Sequence, residues 1–275
     1  MKNSVSGLNL LRHLTEQGLK IFSTAQAQAA APEVGMNPTY VSESLHNLTK
    51  GGWITRLKRG VYVIAAYGSS PHEFAIAMAL VTPSAISHWT AMHYHHVTQQ
   101  TPNKIFAITP RGTSIPRSLS KTIFRFIQIR KEHYFGIETI WVDDMRAQIT
   151  NLEKTLLDGL TSPEYCGDFN EVLHAFKMGK DRIRIQVIVE YALKLEKAVA
   201  KRLGFILDEL GIEKKHLDLL LKLPMKSYCK LDPSGPVKGS YNAKWKIRKN
   251  RCLSIDHPDL ESSTLPDHLH PQGTP

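Results

Sequence analysis

The sequence has few cysteines and no apolar run long enough to cross a membrane. Its three cysteines, Cys166, Cys229 and Cys252, lie far apart, and their odd number and wide spacing fit neither a disulfide framework nor a zinc-ligand motif. No apolar stretch approaches the roughly 20 residues of a membrane-spanning helix. The first seven residues contain no apolar core of a signal peptide. We therefore expect reduced thiols and a cytoplasmic location.

The motifs of common enzyme classes are also missing, since there is no glycine-rich phosphate loop and no Gly-x-Ser-x-Gly. Glu153 and Asp158 are five residues apart, which on a helix separates them by about 140° and suits capping and salt bridges better than a shared acid/base site. Asp143–Asp144 follows a predicted strand without a Glu-x-Lys on the next one, so an N-cap role is the simpler interpretation. The sequence predicts no catalytic residues.

Histidines cluster in one stretch, at His88, His93, His95 and His96. His88 and His95 are seven residues apart and would share a helical face, but no cysteine or carboxylate joins them in the sequence. Packing and surface hydrogen bonds therefore explain the group better than a zinc site does. We predict no metal and no cofactor.

Positive charge is in excess and is unevenly distributed along the chain. The formal net charge is +10. Residues 1–66 hold seven cationic and three acidic residues, and residues 226–251 hold eight cationic residues against Asp232 alone, whereas residues 253–275 carry four acidic residues and no lysine or arginine. Two basic regions favour polyanionic partners, because binding such a partner releases its counterions. A basic face that only meets solvent is the alternative.

A segment near the N-terminus, Phe22 to Ile64, has its parts in the order of a winged helix-turn-helix. Ser23 and Thr24 suit the start of a short alanine-rich helix. A turn separates it from a second helix, for which Asn37 is a good N-cap and Pro38 a suitable first residue.

The second helix carries Val41, Leu45 and Leu48 on one apolar stripe and ends at Gly51–Gly52. Residues 53–64 then predict a β-hairpin with a basic turn. A helix with one apolar face followed by such a hairpin is typical of proteins that place a helix in the DNA major groove.

The side chains predicted to contact DNA lie on the polar side of that helix and on the hairpin turn. Glu43 fits less well than the others, because it accepts a hydrogen bond from cytosine but repels a nearby phosphate. Lys58 and Arg59 suit phosphates or the minor groove. A solvated polar face on an ordinary small domain is the alternative. The helix positions are Asn37, Thr39, Tyr40, Ser42, Glu43, His46, Asn47 and Lys50.

The composition of Gly68–Ser69–Ser70–Pro71 predicts a domain boundary. Beyond it, the pattern predicts helices over 74–80 and 84–95, strands over 104–109, 123–130, 137–142 and 146–150, and helices over 152–160, 168–178, 184–203 and 204–223. The strand over 123–130 is expected to be covered on both faces. We predict an α+β fold, with a winged helix-turn-helix domain (1–66), a mixed α/β domain with a helical C-terminal half (71–252) and a disordered tail (253–275).

Four motifs follow one another over most of the chain. They are Arg59–Gly60–Val61–Tyr62, Ile86–Ser87–His88–Trp89–Thr90–Ala91–Met92, the segment Asn151 to Leu160, and Leu231–Asp232–Pro233–Ser234–Gly235–Pro236 with Gly239 to Ile247. Their order and spacing resemble the AbiEi family, the antitoxin and autorepressor half of AbiE-type bacterial abortive-infection toxin–antitoxin pairs.

The resemblance implies two tasks for the chain. The N-terminal domain would bind inverted repeats in its own promoter and repress the operon, and the larger domain would neutralise a nucleotidyltransferase-like toxin. Neutralisation by direct contact and neutralisation without a stable complex both stay open. Two further functions also stay open: a winged-helix regulator whose larger domain senses a ligand or forms oligomers, and a nuclease that is delivered to DNA.

The basic segment from Lys226 to Arg251 is expected to meet a partner, either the toxin, its RNA target or operator DNA. Aromatic residues stand between its charges, at Tyr228, Tyr241 and Trp245. Such interleaving suits base stacking or an interface anchor. We predict that Trp245 is a core residue or an anchor, and that the residues in partner contact are Lys244, Lys246 and Arg248.

Overall fold

The computed structural model describes residues 2–65, 71–112 and 122–251. It has the mixed α+β composition that the sequence predicts, with ten helices and three sheets in these ranges. Most of the predicted boundary at 68–71, the tail over 253–275 and Cys252 lie outside the described residues. None of the described helices combines the length and apolar character that crossing a membrane requires.

The N-terminal part is built from three helices and a small sheet. Its elements are α1 (Lys2–Glu16), β1 (Ile21–Ser23), α2 (Thr24–Ala30), α3 (Val41–Lys50), β2 (Ile54–Lys58) and β3 (Val61–Ile64). The antiparallel sheet has the order β1-β3-β2. The pattern-based prediction began at Phe22 and missed α1, although Leu10 and Leu14 of α1 are fully buried in the core beneath α3.

Local signals fix where these helices begin and end. Ser23 caps α2, because its hydroxyl accepts from the backbone N–H of Gln26 while the Gln26 side chain accepts from Ser23 in return. Asn37 accepts from the backbone N–H of Thr39 at 3.0 Å and opens a short 3₁₀ turn that leads into α3. Gly52, with φ of 73°, takes the left-handed conformation just after α3. The predicted helix starts and stop are confirmed.

The central part contains a five-stranded sheet of order β6-β5-β4-β8-β7. Its elements are α4 (Glu73–Leu80), β4 (Ala85–Ile86), α5 (His88–Tyr94), β5 (Ile105–Thr109), β6 (Phe124–Gln128), β7 (Ile137–Val142) and β8 (Met145–Thr150). The β4–β8 and β5–β6 pairs are parallel, and the β4–β5 and β7–β8 pairs are antiparallel.

Two predictions about this sheet are wrong. The helix predicted over 84–95 begins only at His88, because Ala85–Ile86 forms the central strand and hydrogen bonds on both sides. The strand predicted to be covered on both faces is instead an edge strand, in which Phe124 is buried and Arg125 is exposed. Short apolar runs do not reveal by themselves which neighbours a strand will find.

The C-terminal part is helical and ends in a second small sheet. Its elements are α6 (Leu152–Thr161), α7 (Phe169–Gly179), α8 (Ile185–Leu193), α9 (Lys197–Glu209), α10 (Lys214–Lys222), β9 (Cys229–Lys230), β10 (Ser240–Asn242) and β11 (Ile247–Lys249). The sheet order is β10-β11-β9. The prediction of one helix over 184–203 and another from Gly204 is wrong, because the chain breaks after Leu193 and α9 runs through Gly204.

The apolar cores do not follow the predicted domain boundary. One core lies among the N-terminal helices, and a second lies among α6–α10 and the small C-terminal sheet. A third core joins Leu57 and Val63 of the N-terminal hairpin to Phe74, Leu80 and Ile149. The segment over 71–252 therefore has a core of its own and shares another with the hairpin, so its independence remains a proposal.

The side chain of Trp245 is fully buried against α9, where Gly204 leaves room for its ring. A Cβ atom at Gly204 would lie 2.1 Å from the ring of Trp245. The indole N–H donates to Asp208 at 2.8 Å. Of the two roles predicted for Trp245, core residue or interface anchor, the structure shows the core residue; its placement on a partner surface is wrong, because no part of the ring reaches solvent.

We predict that Gly204→Ala lowers the free energy of unfolding by about 3 kcal/mol, because the added methyl group overlaps the Trp245 ring. Urea unfolding measures the change. Trp245→Phe removes the atoms that collide, so the double variant should be more stable than the sum of the two single effects. Strictly additive effects would contradict this packing.

Candidate nucleic-acid interface

The predicted DNA-contacting side chains of α3 share one exposed face. Val41, Leu45 and Leu48 are buried beneath it, as the stripe predicts. All the polar positions predicted on this helix and its 3₁₀ turn are exposed, and their contacts with DNA stay a prediction. They are Asn37, Thr39, Tyr40, Ser42, Glu43, His46, Asn47 and Lys50.

Part of this face is already used for capping. The side-chain oxygen of Asn37 accepts from the hydroxyl of Thr39 at 2.8 Å as well as from its backbone N–H. Tyr40 is 59% exposed. The central helix residues Ser42, His46 and Asn47 accordingly have the more available hydrogen-bonding groups.

The missed helix α1 supports α3 from behind. A Cβ atom at Gly7 would lie 2.6 Å from the buried Ser44 hydroxyl, so glycine at this position permits the close approach of the two helices. A supporting helix fixes the direction in which the polar face of α3 points. The sequence signal for α1 is the apolar spacing of Leu10, Leu11 and Leu14, which precede the predicted segment that begins at Phe22.

The two cations of the hairpin turn differ in their surroundings. Arg59 is exposed. Lys58 is half-buried, its ammonium group donates to the carbonyl oxygen of Leu80 at 2.7 Å, and burial lowers its pKa. Lys58 therefore anchors the hairpin to α4. Arg56 is exposed on β2 and was missed, although it alternates with buried Leu57.

An ion pair connects the N-terminal part to the large sheet. Lys20 contacts Asp144 at 2.9 Å, and this hydrogen bond holds the pKa of the Asp144 carboxyl below its ordinary value. Asp143 and Asp144 form the tight turn between β7 and β8, and Asp143 has φ of 54°, in the left-handed region. The N-cap role predicted for these residues is wrong, because they form a turn between two strands and β8 follows directly.

The two carboxylates considered as catalytic residues serve structure instead. Glu153 accepts from the Arg184 guanidinium at 2.7 and 2.9 Å and from its backbone N–H at 3.0 Å, which confirms the predicted salt bridge. The capping role predicted for Glu153 is not observed, because Asn151 caps α6. Asp158 accepts from Ser87 at 2.7 Å and pairs with Lys154. All of these groups except the Arg184 side chain are buried, and the two carboxylates have separate partners.

The four clustered histidines are not brought together. His93 and His96 are exposed, and the His95 ring contacts the carbonyl oxygen of Thr150 at 2.7 Å. His88 is buried, and its Nδ1 has no hydrogen-bond partner within the described ranges. In those ranges, no three His, Cys, Asp or Glu residues are placed to hold a metal ion.

We predict that His88 makes stability depend on pH between about 6.5 and 4. Burial lowers the pKa of His88 to about 4. The charge of Asp158 raises this pKa by a smaller amount, and the charge of Lys154 lowers it. The unfolded chain therefore binds this proton first, and stability is lost as pH falls, by up to about 3 kcal/mol. In urea unfolding, His88→Asn should flatten this dependence relative to the exposed His93→Asn control. An unchanged slope would contradict the assignment.

Comparisons with known proteins cover both the N-terminal segment and the whole fold. The crystal structure of RV2827C protein from Mycobacterium tuberculosis superposes with a TM-score of 0.64 at 12% identity, over 88% of this chain and 90% of that one. At this identity the likeness concerns the fold alone. No curated protein matches the sequence.

The N-terminal segment carries the family match. Residues 9–65 match the family described as "Transcriptional regulator, AbiEi antitoxin". This range contains most of α1 and all of α2, α3 and the hairpin, so it includes every residue predicted to contact DNA. The match confirms the resemblance to the AbiEi family over residues 9–65, which include Arg59–Gly60–Val61–Tyr62, whereas the other three motifs lie outside the matched range.

Proposed function

We propose that this protein is an antitoxin that represses its own promoter and neutralises a nucleotidyltransferase-like toxin in the bacterial cytoplasm. The observation that carries the proposal is the exposed polar face of α3 within the segment that matches the AbiEi model. The side chains of Val41, Leu45 and Leu48 pack into the core, whereas the outer face of this helix exposes hydrogen-bonding side chains at Ser42, His46 and Asn47. Such a division is typical of a recognition helix.

The N-terminal part is proposed to act as a winged helix-turn-helix. Helix α3 has ten residues and is about 15 Å long. The diameter of a helix with its side chains, about 10–12 Å, fits the width of the major groove, about 12 Å. His46 and Asn47 would contact base edges, while Lys50 and Arg59 would contact phosphates. The hairpin β2–β3 is the proposed wing, with Arg59 at its exposed turn.

The remaining chain is proposed to form the antitoxin domain over 71–252. Of the cations predicted to meet a partner, Lys244 forms an ion pair with Asp208 at 2.5 Å. Lys246 and Arg248 have no carboxylate partner in the part of the chain that the structure describes. These two residues are therefore the better candidates for contact with the toxin or its RNA target.

Binding to the protein's own upstream DNA should fall steeply with salt. Arg59→Ala is expected to reduce the slope of log K against log salt by about 1, because one phosphate contact is lost. Lys58→Ala should change the slope less, since this amine is bonded to Leu80. Lys197→Ala removes one exposed charge elsewhere and serves as the control. Fluorescence anisotropy provides the measurement.

Substitutions on α3 should instead change the preference between sequences. His46→Ala and Asn47→Ala are expected to cost about 1–3 kcal/mol each on the operator and little on unrelated duplex DNA, because base contacts are lost. Competition binding with both duplexes checks this. Equal operator affinity of both variants and the wild type would refute the assignment of α3.

Repression of the promoter and protection from the toxin should depend on different residues. The double variant of His46 and Asn47 to Ala is expected to derepress a promoter reporter while it still protects cells that co-express the adjacent toxin gene. Full-length protein is used because Leu57 and Val63 share a core with the second segment. Joint loss of both activities in folded protein would contradict the division. Absence of protection by the wild type would favour a regulator without a toxin partner.

A further inference from the structure

The solvent face of the small C-terminal sheet carries aromatic rings and cations in alternation. Ile247 of β11 points into the core and pairs with Cys229, so Arg248, its neighbour in the strand, lies on the opposite face. Tyr241 pairs with Arg248 across the sheet. Tyr228 precedes β9 and packs against Tyr241, with 4.7 Å between the ring centroids.

Each of these rings is paired with one cation. The Lys246 ammonium lies 5.1 Å from the centroid of Tyr228, and the Arg248 guanidinium lies 5.0 Å from the centroid of Tyr241. Arg248 also donates to the Tyr241 hydroxyl at 2.6 Å and to the carbonyl oxygen of Val237 at 3.3 Å. The guanidinium is thereby held in place with its remaining N–H donors available.

Positive charge on this face is not neutralised by the fold. Asp232 is the single acidic residue between positions 226 and 251, and it is buried and paired with Arg251. Lys244 forms an ion pair with Asp208. Across the described ranges, no ion pair involves Lys246 or Arg248. As whole residues, Tyr228 is 39% exposed and Tyr241 is 56% exposed.

Exposed rings beside uncompensated cations match the two chemical features of an unpaired nucleotide. Bases stack on the rings, and phosphates pair with the cations. A DNA duplex offers its phosphates but keeps its bases stacked inside, so it would leave the tyrosines without a role. Unpaired RNA offers both groups. It also has 2′-hydroxyls, which can form hydrogen bonds with the tyrosine hydroxyls.

We propose that this sheet face, formed by Tyr228, Tyr241, Lys246 and Arg248, is a binding site for single-stranded RNA. The site is separate from α3 and does not depend on operator binding. It also gives the basic C-terminal segment a ligand of stated chemistry, in which Lys246 and Arg248 neutralise phosphates and the two tyrosines stack on bases.

The test uses full-length protein and a fluorescent oligouridine of about 12 nucleotides, measured by anisotropy at low salt. Wild-type protein should bind this RNA more tightly than a blunt RNA duplex of the same length. Tyr228→Ala and Tyr241→Ala should each weaken binding about tenfold, whereas Tyr241→Phe retains the ring and most of the affinity. Tyr94→Ala is the matched control, because Tyr94 on α5 is also 39% exposed.

The charged residues provide the second arm. Lys246→Gln and Arg248→Gln should each reduce the slope of log K against log salt by about 0.7, the value for single strands, relative to Lys197→Gln. The α3 variants His46→Ala and Asn47→Ala should keep their RNA affinity, so failure of this site and failure of operator binding are distinguishable. Thermal melting confirms that each variant is folded.

Three results would overturn the proposal. One is no RNA binding by the wild type. Another is wild-type affinity in both tyrosine-to-alanine variants, which would leave only a solvated basic face. The third is tighter binding of duplex DNA than of single-stranded RNA with the same dependence on the tyrosines, which would assign the face to the operator.

Discussion

The packing of the N-terminal hairpin against the large sheet is the constraint on which the rest of the arrangement depends. Leu57 and Val63 are buried in a core that also contains Phe74 and Leu80 of α4. Lys58 donates to the carbonyl oxygen at the end of the same helix. Apolar burial supplies the free energy of this contact, and the half-buried hydrogen bond from Lys58 helps to fix the position of the hairpin on α4. The hairpin turn is held from one side, and Arg59 is left exposed on the other.

Sequence patterns predicted the N-terminal elements well because their signals are local. Ser23 and Asn37 cap their helices, and the stripe of Val41, Leu45 and Leu48 is buried where the spacing places it. These signals depend only on neighbours within one or two helical turns. The polar face of α3 is the complement of that stripe, so its exposure could be inferred from the same spacing.

The features that sequence patterns missed depend on contacts between distant residues. Ala85–Ile86 is a strand because β5 and β8 flank it. Gly204 lies inside α9, where the absence of a side chain leaves room for the ring of Trp245. Lys58 was predicted to contact a phosphate, whereas its ammonium group donates to the carbonyl oxygen of Leu80. In each case the deciding partner is more than 20 residues away, beyond the reach of propensity or periodicity.

The net charge of the chain does not show which cations are exposed, because some of them are buried in the fold. Several cations are used inside the structure, where Lys201 donates to the carbonyls of Leu220 and Leu221 at the end of α10, and Arg202 donates to Leu160 near the end of α6. Cations at helix C-termini are stabilised by the helix dipole, so these two need no carboxylate. Because the interior uses these charges, the net charge alone does not locate a polyanion site. Lys50 and Arg59 are exposed in the N-terminal part, and Lys246 and Arg248 are half-buried on the small C-terminal sheet. Two separate faces, one built around a helix and one around exposed rings, suit nucleic acids of different form better than a single continuous footprint.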